Sequence, residues 1–312
     1  MFYSDKLDEN VYSDLMEQIK KVNLDWLDLR TSRQYKLGLV FNEVTTDISH
    51  LNLCALAKSI KRWTRGAKSK RIQSKEKQRL KFETKPNYFS HERIAIYTAV
   101  FGPYDQVPEP YCKPDNCDFF IFTDQKDSIR DSVWNKIESP DEIKGYSNAQ
   151  KNRYLKMHPH ELFSEYKYSI YIDGNVQIVT DLTEYINILG SSGLGTHLHD
   201  SRNCIFLELE TIIATGRENR ENAKKHLLYI KESGIPEAYG LLQCNVIVRE
   251  HDNPICVSIM ENWWNEYQTY TKRDQISLPH VLYLKGIKID EVGVLGNNIY
   301  RNPSFRVLNH SI

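Results

Sequence analysis

The sequence predicts an α/β protein whose core is a largely parallel β-sheet flanked by helices. Three apolar runs predict it. Arg93-Ile-Ala-Ile-Tyr-Thr-Ala-Val100 is β-rich and stops at the turn-forming Phe101-Gly102-Pro103-Tyr104-Asp105. Asp118-Phe-Phe-Ile-Phe-Thr-Asp124 is a second run and ends on a carboxylate. Tyr168-Ser-Ile-Tyr-Ile172 is a third; it is closed by Asp173-Gly174-Asn175 and preceded by a helical segment over 147–163. Strand, loop, strand, helix, strand is how a parallel sheet begins.

Ahead of these runs, Val11, Leu15, Ile19 and Val22 recur at helical spacing and predict one amphipathic helix. From Lys58 to Lys85 the chain carries twelve Lys or Arg against two Glu, and the stretch closes at Lys85-Pro86-Asn87. The expected organisation is a helical, basic appendage or linker over 1–90 and a main domain over 91–312. A basic stretch with few apolar anchors suits a solvated linker or an anionic membrane surface. Nucleic acid is not the expected partner: Lys+Arg and Asp+Glu both total 41, and no reader motif is present.

The 312 residues, 40% hydrophobic and 26% charged, are enough for one large core. Six cysteines stand at 54, 112, 117, 204, 244 and 256, with no CxxC pair, which points to a reduced compartment. No apolar run approaches the roughly 20 residues that span a bilayer. The start, MFYSDKLDEN, lacks the features of a signal peptide. A cytoplasmic protein is expected, peripheral on the inner face of a membrane at most.

In open α/β sheets ligands bind at the carboxyl ends of strands. The loop after the first run, Asp124 and Asp173 therefore share one crevice. A carboxylate beside a small residue, as in Asp173-Gly174, can meet a hard divalent cation, and the cation can meet phosphate oxygens. Arg153 and Lys156 are three residues apart on the preceding helix and share a face suited to a diphosphate.

In the second half, Gly190–Gly195 is a loop, and His197-Leu-His199-Asp200 follows it. Glu208 and Glu210 share a face on a strand but not on a helix; near a cleft, either can act as a base. One or two solvent-facing helices are expected over 211–233, a strand over 240–249 and a helix over 256–270. The Trp263-Trp264 pair of that last helix reads as packing rather than as a sugar platform. Arg273-Asp274-Gln275 opens a further helix, with Asp274 as its expected N-cap. His310 follows NPSFRVLN.

Read together, the blocks IYTAVFGPYD, DFFIFTD, NRYLKMHPHELF, YSIYIDGNVQI, HDSRNCIFLELE, NVIVREHDNP, WWNEYQTYTKRDQISLPHVL and NPSFRVLNH span about residues 93–310. In this order they resemble the glycosyltransferase-like domain shared by bacterial polysaccharide-locus proteins and plant turgor-regulation and mucilage-related proteins. The resemblance implies a GT-A-like, Rossmann-type mixed sheet. It also implies transfer of a hexosyl or pentosyl group from an activated sugar, as a nucleoside diphosphate, to a glycan or lipid-linked glycan. Mn²⁺ or Mg²⁺ is the implied cofactor, held by Asp173, Asn175 and His310. Asn175 stands where an acidic residue is usual and brings a carbonyl oxygen without charge. The implied donor side is Thr98, Phe101, Gly102, Tyr104, Asp124, Arg153, Lys156, Asp173 and Gln275. The acceptor side is His199, Arg202 and Asn245, and the implied catalytic carboxylates are Asp274, Glu208 and Glu210. Asn175 and Gln243, which replaces an often acidic residue, favour one alternative: a decayed domain serving as a scaffold. A transferase with a phosphorylated pentose donor is the other.

Overall fold

The computed structural model describes residues 2–3, 9–31, 89–103, 105–125, 132–199, 201–216 and 218–310. The basic stretch over 58–85, the expected boundary at 86–87 and Tyr104 lie outside these residues. In chain order the main elements are helix α1 (Glu9–Thr31), strands β1 (Ile94–Val100), β2 (Cys117–Thr123) and β3 (Asn135–Lys136), helices α2 (Asn148–Met157) and α3 (Pro159–Leu162), and strands β4 (Tyr168–Ile172) and β5 (Leu194–Leu198). Helices α4 (Ile205–Thr215) and α5 (Arg220–Glu232), strand β6 (Leu242–Glu250), helices α6 (Pro254–Thr269) and α7 (Asp274–Leu284), and strand β7 (Gly293–Val294) complete them.

The strands form one seven-stranded sheet in the order β7-β5-β6-β4-β1-β2-β3. β6 runs antiparallel to β4 and β5, and the other pairings are parallel. This is the mixed, helix-flanked α/β sheet that the sequence implies. The three apolar runs become adjacent strands: β1 pairs with β2 from Ile94↔Cys117 and with β4 from Ile94↔Tyr168. Every residue of β1 is buried. A strand covered on both faces has no solvated side, so its sequence shows no polar alternation. The period of two survives in what each residue touches. Ala95, Tyr97 and Ala99 join a core with Leu155 of α2, Trp263 of α6 and Leu278 of α7. Ile94 and Ile96 join a second core with Phe119, Ile170, Val246 and Phe305.

Beyond β4 the chain turns at Asp173-Gly174-Asn175, closed by Val176 N–H donating to the Asp173 carbonyl at 2.9 Å. A Cβ on Gly174 would stand 2.3 Å from Cγ2 of Val100, so the close approach of β1 requires glycine here. Val176–Ile178 then pairs antiparallel with Phe305–Val307. Leu308 N–H donates to the Asn175 carbonyl at 2.8 Å, which pins the turn from the far end of the sequence.

The predicted N-terminal helix is present, but its buried stripe is shifted: of the four residues, Leu15 and Ile19 pack in part against Tyr12, Met16 and Cys112. Val11 and Val22 are exposed, whereas Tyr12, Met16, Lys20, Asn23 and Leu27 face the main domain. Tyr12 donates to Asp181 at 2.8 Å, Lys20 to Glu184 at 2.9 Å, and Asn23 Nδ2 to the carbonyl of Pro303 at 2.7 Å. Lys20 and Asn23 are polar groups buried with partners, so a purely apolar template misplaces the face. Glu9–Thr31 is thus packed onto the domain from which the sequence reading separated it. Among the described residues no helix is long and apolar enough to cross a membrane.

Met16 is fully buried at the centre of this contact. Met16→Ala is expected to lower the unfolding free energy by roughly 2–5 kcal/mol, read from urea denaturation. Unchanged stability would mean that α1 contributes nothing to the fold.

Candidate active site

Two cations and two carboxylates meet at the carboxyl end of β4. α2 is started by a capping box, in which Ser147 and Gln150 each hold the other's backbone N–H. Asn152 ties the helix to the sheet by donating to the carbonyl of Ala99 at 2.6 Å and to the Tyr171 hydroxyl at 3.1 Å. One turn further, Lys156 is 1% exposed and lies over the Tyr171 ring at 4.9 Å. Its Nζ donates to Oδ2 of Asp274 at 2.8 Å and stands 3.5 Å from Oδ1 of Asp173. Arg153 Nε lies 3.1 Å from the same Asp274 oxygen. Buried charges persist only when paired, and here each sign balances the other.

Asp274 is the first residue of α7, and the N-cap is Arg273, which makes no side-chain cap. The expected capping role is therefore not the one its carboxylate fills. Oδ2 goes to the cations, while Oδ1 accepts from Gln275 N–H at 3.2 Å. Trp263 Nε1 donates to the Asp274 carbonyl at 3.1 Å, so the tryptophan is packed, as its sequence suggests, and also anchors this turn. Burial alone would raise the Asp274 carboxyl, but the charges of Arg153 and Lys156 outweigh it and hold the group well below the usual carboxylate range.

Asp173 is fixed by β6. Its N–H donates to the Asn245 carbonyl at 2.8 Å, and Asn245 Nδ2 donates to Asp173 Oδ2 at 2.8 Å. Asn245, expected on the acceptor side, thus orients the central carboxylate. Asn175 Nδ2 donates to the Leu308 carbonyl at 3.0 Å, and His310 Nδ1 lies 3.0 Å from Oδ1 of Asp105. The three residues expected to hold a metal therefore have three different neighbours. Asp105 was legible only as part of a turn. It is 5% exposed, and its Cβ would be 3.7 Å from a Cβ on Gly174, which sets it against the Asp173 turn. A buried carboxylate facing an imidazole thus stands beside the turn of Asp173 and Asn175, but Asp105, Asp173 and His310 do not bring their ligand atoms within 4.8 Å of one another.

The rest of the expected donor side divides into rim and interior. Gly102 N–H donates to Oδ1 of the exposed Asp124 at 2.8 Å, and Gln125 Nε2 donates to the carbonyls of Gly102 and Asp105. Asp124 thereby shapes the loop that carries Asp105. Phe101 is buried beneath Lys151, and Thr98 is buried inside β1 with its hydroxyl unpartnered. On the expected acceptor side, α4 settles the geometry of the two glutamates. A helix puts residues two apart on different faces: Glu208 is buried and Glu210 exposed. Glu208 binds Arg202 through its Oε2 and lies 3.8 Å from Nε2 of His199. His199 Nδ1 in turn accepts from the Arg202 N–H at 3.2 Å. Gln243 is buried, and its Oε1 accepts from Ile299 N–H at 3.0 Å.

The model of the TOD1/MUCI70 glycosyltransferase-like domain matches residues 68–309. The chain belongs to this family. The Arabidopsis thaliana protein "Probable hexosyltransferase MUCI70" is 25% identical over 218 residues, covering 60% of this chain and 37% of the relative. The chain therefore spans well under half the length of that relative. The apo structure of the bifunctional glycosyltransferase WbbM is similar over 64% of this chain and 38% of its own, at 12% identity and a TM-score of 0.38. The TOD1/MUCI70 match takes in the Arg153–Lys156–Asp173–Asp274 cluster, Asp105 and all but the last of the paired positions, His310.

Asp274→Asn leaves Arg153 and Lys156 short of a counter-charge. At pH 7 it is expected to cost roughly 3–5 kcal/mol of stability. A depressed carboxyl stabilises the fold above its unfolded pKa, about 3.9, and that contribution falls away as the pH drops towards the folded value. The gap between wild type and variant, read from denaturation midpoints, is therefore expected to be constant from pH 7 to 5 and to shrink below about pH 4. A gap independent of pH down to acid unfolding would refute the ion-pair account.

Proposed function

We propose that the chain is a metal-assisted glycosyltransferase that moves a sugar from a nucleoside diphosphate donor to a hydroxyl of a glycan or lipid-linked glycan in surface polysaccharide synthesis. The observation that carries this reading is Lys156 shared by Asp173 and Asp274, with Arg153 on the same carboxylate. Such a cluster is self-neutralised without substrate. A diphosphate entering from the rim of β1 and β4 competes for the ammonium and guanidinium through charge-assisted hydrogen bonds. Asp274 is then released beside the sugar.

In the transfer, the bond from the anomeric carbon to the diphosphate breaks and a bond to the acceptor oxygen forms. The nucleoside diphosphate leaves with the electron pair, and the acceptor proton passes to it or to a carboxylate. Arg153 and Lys156 stabilise the leaving group as its charge grows. Asp274 stabilises the positive charge that develops on the sugar ring, and Asn245 keeps Asp173 aimed at the site. Arg202, oriented by Glu208 and His199, lines the acceptor side. Asp105, Asp173, Asn175 and His310 are the residues that would hold a Mn²⁺ or Mg²⁺ ion, which would neutralise the diphosphate. Work on a donor made in the cytoplasm fits a protein on the inner membrane face, with 58–85 as its basic contact.

The full chain assayed with a panel of sugar nucleotides and glycan acceptors is expected to release nucleoside diphosphate, more with Mn²⁺ or Mg²⁺ than with chelator. Asp173→Ala should bring release to background while the circular dichroism stays unchanged. Full turnover in that variant would sink the reading. Turnover confined to a phosphorylated pentose would move the donor to another class.

A further inference from the structure

We propose that His226, Glu266 and His280 form a second metal site, for a divalent transition ion of the zinc class, remote in role from the sugar-transfer cluster. The three side chains come from α5, α6 and α7 and are 0%, 7% and 0% exposed. One ligand atom from each lies within 4.8 Å of the others; among the described residues no other three His, Cys, Asp or Glu side chains meet in this way. Glu266 sits between the rings. Oε1 is 3.0 Å from Nε2 of His226, and Oε2 is 2.9 Å from Nδ1 of His280.

Two features favour an ion over a simple hydrogen-bonded relay. The first is the donor chemistry. Two imidazoles and one carboxylate are a common zinc set that leaves a coordination position open. The second is support behind the ligand. Nδ1 of His226 lies 2.7 Å from Oγ1 of Thr271, the outer partner that a metal-bound imidazole normally has. Tyr270 stacks on the same ring at 4.9 Å and 10°, which holds its orientation. On coordination through Nε2, the Nδ1–H of His226 would donate to Thr271.

Zinc bonds of about 2.0–2.1 Å require ligand atoms about 3.3 Å apart, so the Glu266–imidazole contacts of 3.0 and 2.9 Å must open slightly by side-chain rotation. Glu266 also borders a cavity of about 260 Å³ walled by Tyr229, Tyr270 and Val281, which neither histidine lines. The ion would tie α5, α6 and α7 together, and α7 carries Asp274 on its first turn. The site stands on its own geometry and does not require the sugar-transfer reading.

The test uses the full chain, freed of any histidine tag, stripped with chelator and titrated with Zn²⁺ and then Co²⁺. One equivalent of Zn²⁺ beyond any held at the Asp173 site should bind and raise the melting temperature, and Co²⁺ should give the visible absorption of a low-coordinate nitrogen and oxygen site. Glu266→Gln and His280→Gln should each weaken binding by on the order of 100-fold or more, and Thr271→Val by about 10- to 100-fold. Asp173→Ala should keep the equivalent. Zinc uptake that is equal in wild type, Glu266→Gln and His280→Gln overturns the proposal, as does uptake lost with Asp173→Ala alone. Should one ligand variant fail to fold, the other and Thr271→Val still decide the matter.

Discussion

The ammonium of Lys156 is the constraint around which the rest is arranged. At 1% exposure it cannot be hydrated, so it must be surrounded by acceptors. Asp274 on α7 and Asp173 after β4 supply the carboxylates, and the Tyr171 ring of β4 supplies a face. Placing them fixes how α2, β4 and α7 sit relative to one another. The mixed direction of the sheet serves the same end. β6 runs against β4, and that brings Asn245 alongside Asp173.

Much of the sheet was legible because its strands are apolar over their whole length, and a fully buried strand announces itself without alternation. β3 and β7 were not, since two residues carry no period, nor was β5, which begins at Leu194 inside the stretch Gly190–Gly195 that reads as a loop. The face of α1 was misassigned because Lys20 and Asn23 are buried as polar partners, and hydropathy cannot know that Glu184 and the Pro303 carbonyl await them.

Within the site, Arg153, Lys156 and Asp173 are brought together as their residue types and spacing suggested, and Asp274, read from its position alone as a cap, joins them as the family resemblance implied. Asp105 was hidden by its own loop: a carboxylate after Gly-Pro reads as turn chemistry, and only packing against Gly174 shows it inward. The residues that position others, Asn245 and Trp263, act through hydrogen bonds to groups on other elements. No local pattern records such a bond. Glu208 and Glu210 show the reverse case, where knowing the helix alone decides which of the two is inward.

The docking of α1 also has a consequence for how the molecule is made. Asn23 bonds to the carbonyls of Pro303 and Phe305, separated from it by 280 and 282 residues. On a ribosome adding about 5–20 residues per second, this part of the helix is exposed to solvent for on the order of tens of seconds before its seat exists. Through that interval Asn23 lacks its partners, whereas Tyr12 and Met16 meet Cys112 much sooner, so the C-terminal half of the helix is the part that a chaperone or a neighbouring nascent chain can reach first.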